Sequence, residues 1–178
     1  MFSLVSIIKK NMKKYLIKTK RLGLRFITKD DIEYLKILDK DPEVKEFFPE
    51  GTLRNAEIAE FIESSVENLE KNHLPCFVIF RLNPKAFLGE AYFDELATGE
   101  IKVGYLLHKK FWNKGYATEA LTALLEWAKK NIEADYIVSY ADINNLGSFR
   151  VMEKCGMKHY KEGTFLKMKC HFYRIKNK

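Results

Sequence analysis

One stretch of the sequence, residues 101–132, restricts the possible folds more than any other. Residues 101–107 (IKVGYLL) predict a strand, and apolar residues from Ala117 to Ile132 recur with the spacing of one α-helical face. A short basic loop with a single glycine, Gly115, joins the two. The first turn of a helix carries unpaired N–H groups and a partial positive charge, so an anion can bind there if the backbone is accessible. Gly115 permits this approach because it has no Cβ, and positive charge is added nearby by Lys109, Lys110 and Lys114.

The loop around Gly115 matches neither of the two common nucleotide-binding glycine patterns. The chain contains no G-x-x-x-x-G-K-[ST] and no G-x-G-x-x-G. Taken alone, Gly115 is better explained as a turn between a strand and an amphipathic helix, because single-glycine loops are common. A second stretch changes this interpretation.

Residues 144–157 (NNLGSFRVMEKCGM) follow a predicted strand at 136–141 and predict a short helix closed by Gly156. Together the two stretches resemble the GNAT acetyltransferase superfamily, in particular its Rim-type branch of ribosomal-protein N-terminal acetyltransferases. That branch typically carries W-G-K-G-Y-A-T-E-A, and residues 112–120 are WNKGYATEA. Its second motif, N-x-x-S-x-R-V-x-E-K-x-G-F, matches residues 145–157 except that Met157 replaces the aromatic residue, and its opening motif T-x-R-L-x-L-R matches residues 19–25.

The resemblance implies a single α+β domain over residues 15–178. Its sheet would be mixed, mostly antiparallel and twisted, with six to seven strands flanked by about four helices. The fourth and fifth strands would splay apart to hold acetyl-CoA. Residues 1–14 would form a flexible basic arm before the domain.

Local patterns place the remaining elements. Helices are predicted from residue 28 onward and at 55–71, 116–132 and 146–155, and strands at 15–27, 76–81, 86–93, 100–107, 136–141, 158–161 and 164–175. In a GNAT fold the loop at 44–52 borders the acceptor site, so Phe47, Phe48 and Pro49 are expected in its wall. As local features, these three residues are more typical of ordinary packing.

The resemblance also implies a cofactor site. Backbone groups of Tyr105 and Leu107 would pair with the pantetheine arm as an added strand would, and N–H groups at 113–117 would meet the pyrophosphate. Trp112 stands where the wider superfamily often has Gln or Arg, and Asn145 either orients the pantetheine or caps its helix. The full set of implied cofactor-binding residues is Leu106, Leu107, His108, Trp112, Asn113, Lys114, Gly115, Tyr116, Ala117, Thr118, Asn145, Ser148 and Lys154.

The implied reaction is the attack of an amine on a thioester. Backbone N–H groups, including that of Leu107, would stabilise the oxyanion. Ser148 matches the proposed acid that hydrogen-bonds or protonates the departing sulfur, although it is also an ordinary first-turn helix residue. Many relatives carry a glutamate where this chain has Lys102, so the general base is left open. The candidates are Glu90 and Glu100, each acting through a water, with Tyr105 and His108 as further options.

The acceptor is expected to be a primary amine. Because an α-amine has a pKa of about 8 and a lysine amine one of about 10.4, an α-amine needs less help from a base. A protein N-terminus therefore ranks first, with polyamines or amino sugars next. Because Lys102 stands where many relatives have a glutamate, the chain could also belong to a different class of protein, a CoA-binding or ribosome-associated module that does not catalyse transfer.

Composition sets further limits. The net charge of +7 indicates an anionic partner, but the lysines are scattered, so direct nucleic-acid binding is not favoured. Three scattered cysteines suit a reducing cytosol, and no apolar run is long enough for a membrane span, which predicts a cytoplasmic protein. No metal site is expected, since Cys170 and His171 are adjacent on a strand and no C-x-x-C occurs. A homodimer is one option for the oligomeric state.

Overall fold

A computed structural model describes residues 14–178 of the chain. The predicted basic arm, apart from Lys14, lies outside the described residues. In chain order the elements are β1 (Ile17–Lys18), β2 (Leu22–Phe26), α1 (Ile32–Asp39), α2 (Asn55–Asn72), β3 (Cys76–Arg81), β4 (Ala86–Glu95), β5 (Ile101–Leu107), α3 (Tyr116–Asn131), β6 (Tyr136–Asp142), α4 (Leu146–Lys154), β7 (Lys158–Phe165) and β8 (Met168–Lys176). Short 3-10 turns at Lys29–Asp31 and Lys109–Phe111 precede α1 and α3.

All eight strands form one sheet in the order β1-β2-β3-β4-β5-β6-β8-β7. Neighbouring strands are antiparallel except for β5 and β6, which are parallel. This parallel pairing covers only Ile101 with Ile137 and Lys102 with Val138, after which the ladder between the two strands ends. The predicted separation of the fourth and fifth strands is thus confirmed, and these strands are β5 and β6.

Alternation along the strands gives the sheet two apolar faces. On one face α3 and α4 pack through residues such as Leu121 and Met152 against Phe77 and Phe93. On the other face α1 and α2 cover a second cluster that includes Val78 of β3. The sheet is therefore the middle layer of a three-layer α+β domain.

The strand count differs from the prediction at the start of the chain. The single strand predicted over 15–27 is two short strands, β1 and β2, joined by a turn in which the Thr19 N–H donates to the Leu22 carbonyl at 2.9 Å. The Thr19 hydroxyl also accepts from the N–H groups of Arg21 and Leu22. Because a threonine hydroxyl accepts the N–H hydrogen bonds of this turn, the sequence carries no strong turn signal here.

The closing hairpin was also predicted wrongly in its turn. The strands predicted at 158–161 and 164–175 leave a break at 162–163, but both of these residues lie inside β7, where Gly163 pairs with Cys170. The Phe172 ring occupies the space beside it, because a Cβ added at Gly163 would lie 2.9 Å from Phe172 Cε2. The turn is instead made by Leu166 and Lys167, whose φ angles are 46° and 68°. Such positive φ values favour Gly, Asn or Asp, so this pair carries no turn signature.

A polar clamp joins the β1–β2 turn to the start of α3. The Glu119 carboxylate accepts from the Arg21 Nε at 2.6 Å, from the Arg21 backbone N–H at 3.0 Å and from the Thr19 hydroxyl at 2.5 Å. The Arg21 guanidinium also donates to the Lys114 carbonyl at 3.0 Å and lies 4.3 Å from the Tyr116 ring centroid. Burial alone would raise the pKa of Glu119, but the hydrogen bonds from Thr19 and Arg21 lower it. The opening motif thus fixes the glycine loop before α3.

Candidate active site

A cavity of about 700 Å³ lies where β5 and β6 separate. Nearly all of the predicted cofactor-binding residues line it. They are Leu106, Leu107, Trp112, Asn113, Gly115, Tyr116, Ala117, Thr118, Asn145, Ser148 and Lys154. His108 and Lys114 are not among the lining residues, and the Lys114 ammonium donates instead to the Lys110 carbonyl at 2.7 Å.

Backbone geometry sets the loop that precedes α3. Gly115 is the N-cap of the helix and has a φ of 76°, in the left-handed region. Asn113 also has a positive φ, of 57°. The positive φ of Gly115 is a conformation that favours glycine. A Cβ at this position would have only Arg21 Nη2 within 4 Å, at 3.5 Å, so the space beside the backbone is open.

Beyond Lys102, the edge of β5 that faces the cavity has backbone groups that do not pair with β6, because the ladder stops there. One of these groups is already used, since the Trp112 indole N–H donates to the Leu107 carbonyl at 2.7 Å. Trp112 thereby ties the glycine loop to the end of β5. His108 is the next residue after Leu107. Burial is the main cause, and the charge of nearby Lys110 the second, that lowers the pKa of its imidazole.

Tyr105 and Ser148 meet across the cavity. Their hydroxyl oxygens are 3.0 Å apart, and the Tyr105 hydroxyl also lies 3.3 Å from the Ser148 carbonyl. The Asn145 side chain accepts from the Ser148 N–H at 3.0 Å, so it caps α4. Burial raises the pKa of Tyr105 well above its ordinary value, so this side chain is a hydrogen-bond donor at neutral pH.

The structure places neither of the glutamates predicted as general bases in the cavity lining. Glu90 is only 3% exposed and lies on the face of β4 covered by α1 and α2, where its Oε2 has no partner among the described residues. Burial, followed by the charge of Asp39, raises its pKa to about 8. Glu100 accepts from the Tyr160 hydroxyl at 2.8 Å and from the Lys161 ammonium at 3.2 Å. Burial raises the pKa of Glu100, but the hydrogen bonds from Tyr160, Thr98 and Lys161 together lower it below its ordinary value.

Sequence reasoning missed an acidic side chain that does face the cavity. Among the described lining residues, Glu50 is the only one with a carboxylate. It follows Phe47, Phe48 and Pro49, which line the same wall as expected. Its position directly after this predicted acceptor wall was the signal that could have identified it.

Lys102 stands opposite the loop that carries Glu50. Its ammonium lies 3.5 Å from the Tyr140 hydroxyl and 3.8 Å from Asp94 Oδ2. It also lies 5.2 to 5.6 Å from the ring centroids of Tyr92, Tyr140 and Phe165. Burial lowers its pKa, against the opposing charges of Asp94 and Glu50. This side of the cavity, which the sequence predicts to border the acceptor, is therefore aromatic and carries the Lys102 ammonium.

The loop that carries Glu50 is anchored from beneath. The Lys45 ammonium donates to buried Asp39 at 3.2 Å and lies 4.3 Å from the Phe48 ring centroid. The Leu53 N–H donates to the Asp39 carbonyl at 2.8 Å, which closes the loop at its far end. The predicted acceptor wall is thus held to the domain at both ends.

Comparison with known proteins identifies the family of the chain. Residues 21–158 match the acetyltransferase (GNAT) domain family, and the chain belongs to that family. It is 28% identical over 153 residues to the uncharacterized N-acetyltransferase YnaD of Bacillus subtilis, covering 85% of this chain and 86% of that protein. It is 30% identical over 151 residues to YjdG, another uncharacterized N-acetyltransferase of that organism, covering 79% of this chain and 88% of that protein.

Solved structures share the fold of the chain. A GNAT-family acetyltransferase from Bacillus anthracis superimposes with a TM-score of 0.77 at 24% identity, covering 90% of this chain and 98% of that one. The ribosomal L7/L12 α-N-protein acetyltransferase RimL, in complex with coenzyme A, superimposes with a TM-score of 0.78 at 15% identity, covering 92% of this chain and 98% of that one. The protein is an acetyltransferase, and its co-substrate is acetyl-CoA. Within residues 14–178, no helix has the length and apolar character needed to cross a membrane.

The glycine loop can be tested by Gly115→Glu. The new side chain places bulk and negative charge against the N–H groups of α3, so we expect the affinity for acetyl-CoA to fall by at least about a hundredfold in calorimetry. Gly99→Glu is the matched control. Gly99 also has a positive φ, of 80°, and is not a lining residue, so it reproduces the backbone strain without entering the cavity. Equal affinities in the two variants would contradict the assignment of the loop.

The buried position of Glu90 predicts a pH-dependent cost in stability. The unfolded chain loses the Glu90 proton near pH 4.3, whereas the folded chain keeps it until about pH 8. Unfolding therefore releases a proton between these values, and the free energy of unfolding falls as the pH rises. We expect the Glu90→Gln variant to gain stability relative to the wild type from about pH 5 to about pH 8, in denaturant titrations. The control is Glu95→Gln, which removes an exposed glutamate from the same strand. A Glu90→Gln difference that stays constant with pH would rule this out.

Proposed function

We propose that the protein acetylates the α-amine of a polypeptide N-terminus by direct attack on acetyl-CoA in a ternary complex. The observation that carries this proposal is the division of one cavity into two sides. The cofactor side holds the paired hydroxyls of Tyr105 and Ser148, and the acceptor side holds Glu50 and Lys102. Both reactants therefore have a place in the same cavity at the same time.

On the cofactor side, the free edge of β5 would pair with the pantetheine amides, and the N–H groups before α3 would bind the pyrophosphate. The amine nitrogen then attacks the thioester carbonyl carbon, and the carbonyl electrons move to oxygen. When this intermediate collapses, the C–S bond breaks. The Ser148 hydroxyl, oriented by its contact with Tyr105, donates a hydrogen bond to the departing sulfur, which takes its proton from solvent.

On the acceptor side, the attacking nitrogen becomes strongly acidic once the C–N bond forms. Glu50 is the carboxylate in the cavity lining that would receive this proton, directly or through a water, and return it to solvent. Glu90 and Glu100 do not line the cavity. Glu50 therefore takes the role that the sequence left open.

The charge of the cavity supports an α-amine over a polycation. Lys102 is a fixed cation in the acceptor wall, and it disfavours polyamines and amino sugars that carry several positive charges. An α-amine also needs less help from a weak base such as an exposed carboxylate. The fold similarity to RimL, a protein named for α-N-acetylation of L7/L12, is consistent with this choice but shows only the fold.

The acceptor class can be tested by CoA thiol release with two matched peptides. One peptide has a free α-amine and no lysine, and the other has a blocked α-amine and one lysine. At neutral pH the α-amine is neutral about a hundredfold more often, and we expect at least about a tenfold advantage in kcat/KM. A preference for the lysine peptide would overturn the proposed acceptor. Thermal stabilisation by acetyl-CoA without any thiol release would indicate a binding module instead.

Glu50→Gln tests the proton acceptor. We expect kcat/KM for the α-amine peptide to fall about a hundredfold, because general-base catalysis contributes about that much, with unchanged affinity for acetyl-CoA. Glu46→Gln is the matched control, since Glu46 is an exposed glutamate in the same loop that does not line the cavity. Ser148→Ala serves as a variant that binds acetyl-CoA but turns over slowly. Equal activity of the two glutamine variants would show that Glu50 is not the base.

A further inference from the structure

The β7–β8 hairpin, at one edge of the sheet, brings together three side chains of types that can bind metal ions. They are His159 and Glu162 of β7 and His171 of β8. One possible ligand atom from each lies within 4.8 Å of the others. We propose that these three residues bind a divalent transition-metal ion of the zinc or nickel type.

A bulge in β7 is what brings the three side chains together. Two residues at an odd spacing, such as 159 and 162, normally point to opposite faces of a strand. The register between β7 and β8 shifts between His159 and Lys161, so that His159 pairs with Tyr173 while Glu162 pairs with His171. Because positions 171 and 173 share a face, the bulge places both β7 residues on the face of His171.

The contacts within the cluster agree with this register. The His159 and His171 rings have centroids 5.1 Å apart, and His171 Nε2 lies 3.6 Å from Glu162 Oε1. Ligand atoms at about 2.1 Å from a tetrahedral ion lie roughly 3.4 Å from each other. The His171–Glu162 distance is already close to this value. His159 and Glu162 are exposed, so small side-chain rotations can bring in the remaining ligand.

One ligand is already held in place. The His171 ring stacks on Phe149 of α4, with centroids 5.2 Å apart and an interplanar angle of 17°. Stacking fixes the ring orientation and reduces the side-chain entropy lost on binding an ion. Two imidazoles and one carboxylate suit zinc, nickel or copper, whereas calcium and magnesium prefer oxygen ligands throughout. The remaining coordination positions face solvent and would be filled by water.

This site is separate from acetyl transfer. None of its three residues lines the cavity, and the transfer chemistry needs no metal. The sequence expectation of no metal relied on the cysteines and on the alternation between Cys170 and His171. That alternation holds, and Cys170 takes no part. The ligands come instead from residues that only the bulge places on one face.

Zinc binding can be measured with the full chain, purified without a polyhistidine tag. In calorimetric titrations with ZnCl₂ and with NiCl₂, we expect one ion per chain, and at least about a tenfold weaker affinity in His159→Ala and in His171→Ala. His73→Asn is the matched control, because His73 lies at the end of α2 with a φ of 59° that asparagine tolerates. It should bind the ion as the wild type does.

The exposed His159 keeps the test decisive if His171→Ala fails to fold. Stabilisation by acetyl-CoA in a thermal melt shows that each variant has kept its fold. Loss of zinc affinity in a folded His159→Ala protein supports the site. Wild-type affinity in that variant, or equal losses in the His73→Asn control, overturns it.

Discussion

The structure depends on the early end of the pairing between β5 and β6. β4 and β5 are joined by seven residue pairs, and so are β6 and β8, but only two pairs join β5 to β6. Each half of the sheet is therefore held firmly by its own ladder, and the halves separate along a line of unpaired backbone groups. Unpaired N–H and C=O groups are costly when buried, so this edge is a natural binding place for an extended amide-bearing chain. The cavity follows from this one constraint.

The glycine loop is the second part of the site, and its position depends on distant residues. Arg21 and Thr19 bind the Glu119 carboxylate, and Arg21 reaches the Lys114 carbonyl directly before Gly115. The opening motif and the loop motif thus form one hydrogen-bonded unit, although they are about a hundred residues apart. This contact explains why a glutamate in the first turn of α3 accompanies a threonine and an arginine near the start of the chain.

Much of this arrangement could be predicted from the sequence because it rests on local patterns and two long motifs. The apolar spacing after Gly115 predicted α3, and the residues around Ser148 predicted α4 and its cap. The turn at Leu166 and Lys167 could not be predicted, because neither residue favours a positive φ. The bulge before Lys161 depends on pairing with β8, which no local pattern records.

The general base shows a different limit of sequence reasoning. Glu90 lies on a strand next to β5 and shares a sheet face with Tyr92 and Lys102, which line the cavity, so its place on the sheet made it a candidate. At Glu90, however, that face is covered by α1 and α2, and the side chain is only 3% exposed. There it lies near Asp39 and Lys45. Only one of the two carboxyl groups can be matched by the single lysine, and burial keeps the Glu90 proton in place, with a pKa of about 8.

A protonated Glu90 leaves Lys45 free to pair with Asp39, and this pair holds the loop that carries Phe48 and Glu50. Two acids thus divide the work by their environment. Glu90, the buried one, stays neutral beneath the wall, while Glu50 lies in the cavity lining, where the proposed reaction places the amine. If the buried carboxyl were ionised, the cluster would hold two negative charges against one positive charge, and Lys45 would be drawn from its partner. The proposed acceptor wall therefore rests on a buried acid that does not itself line the cavity.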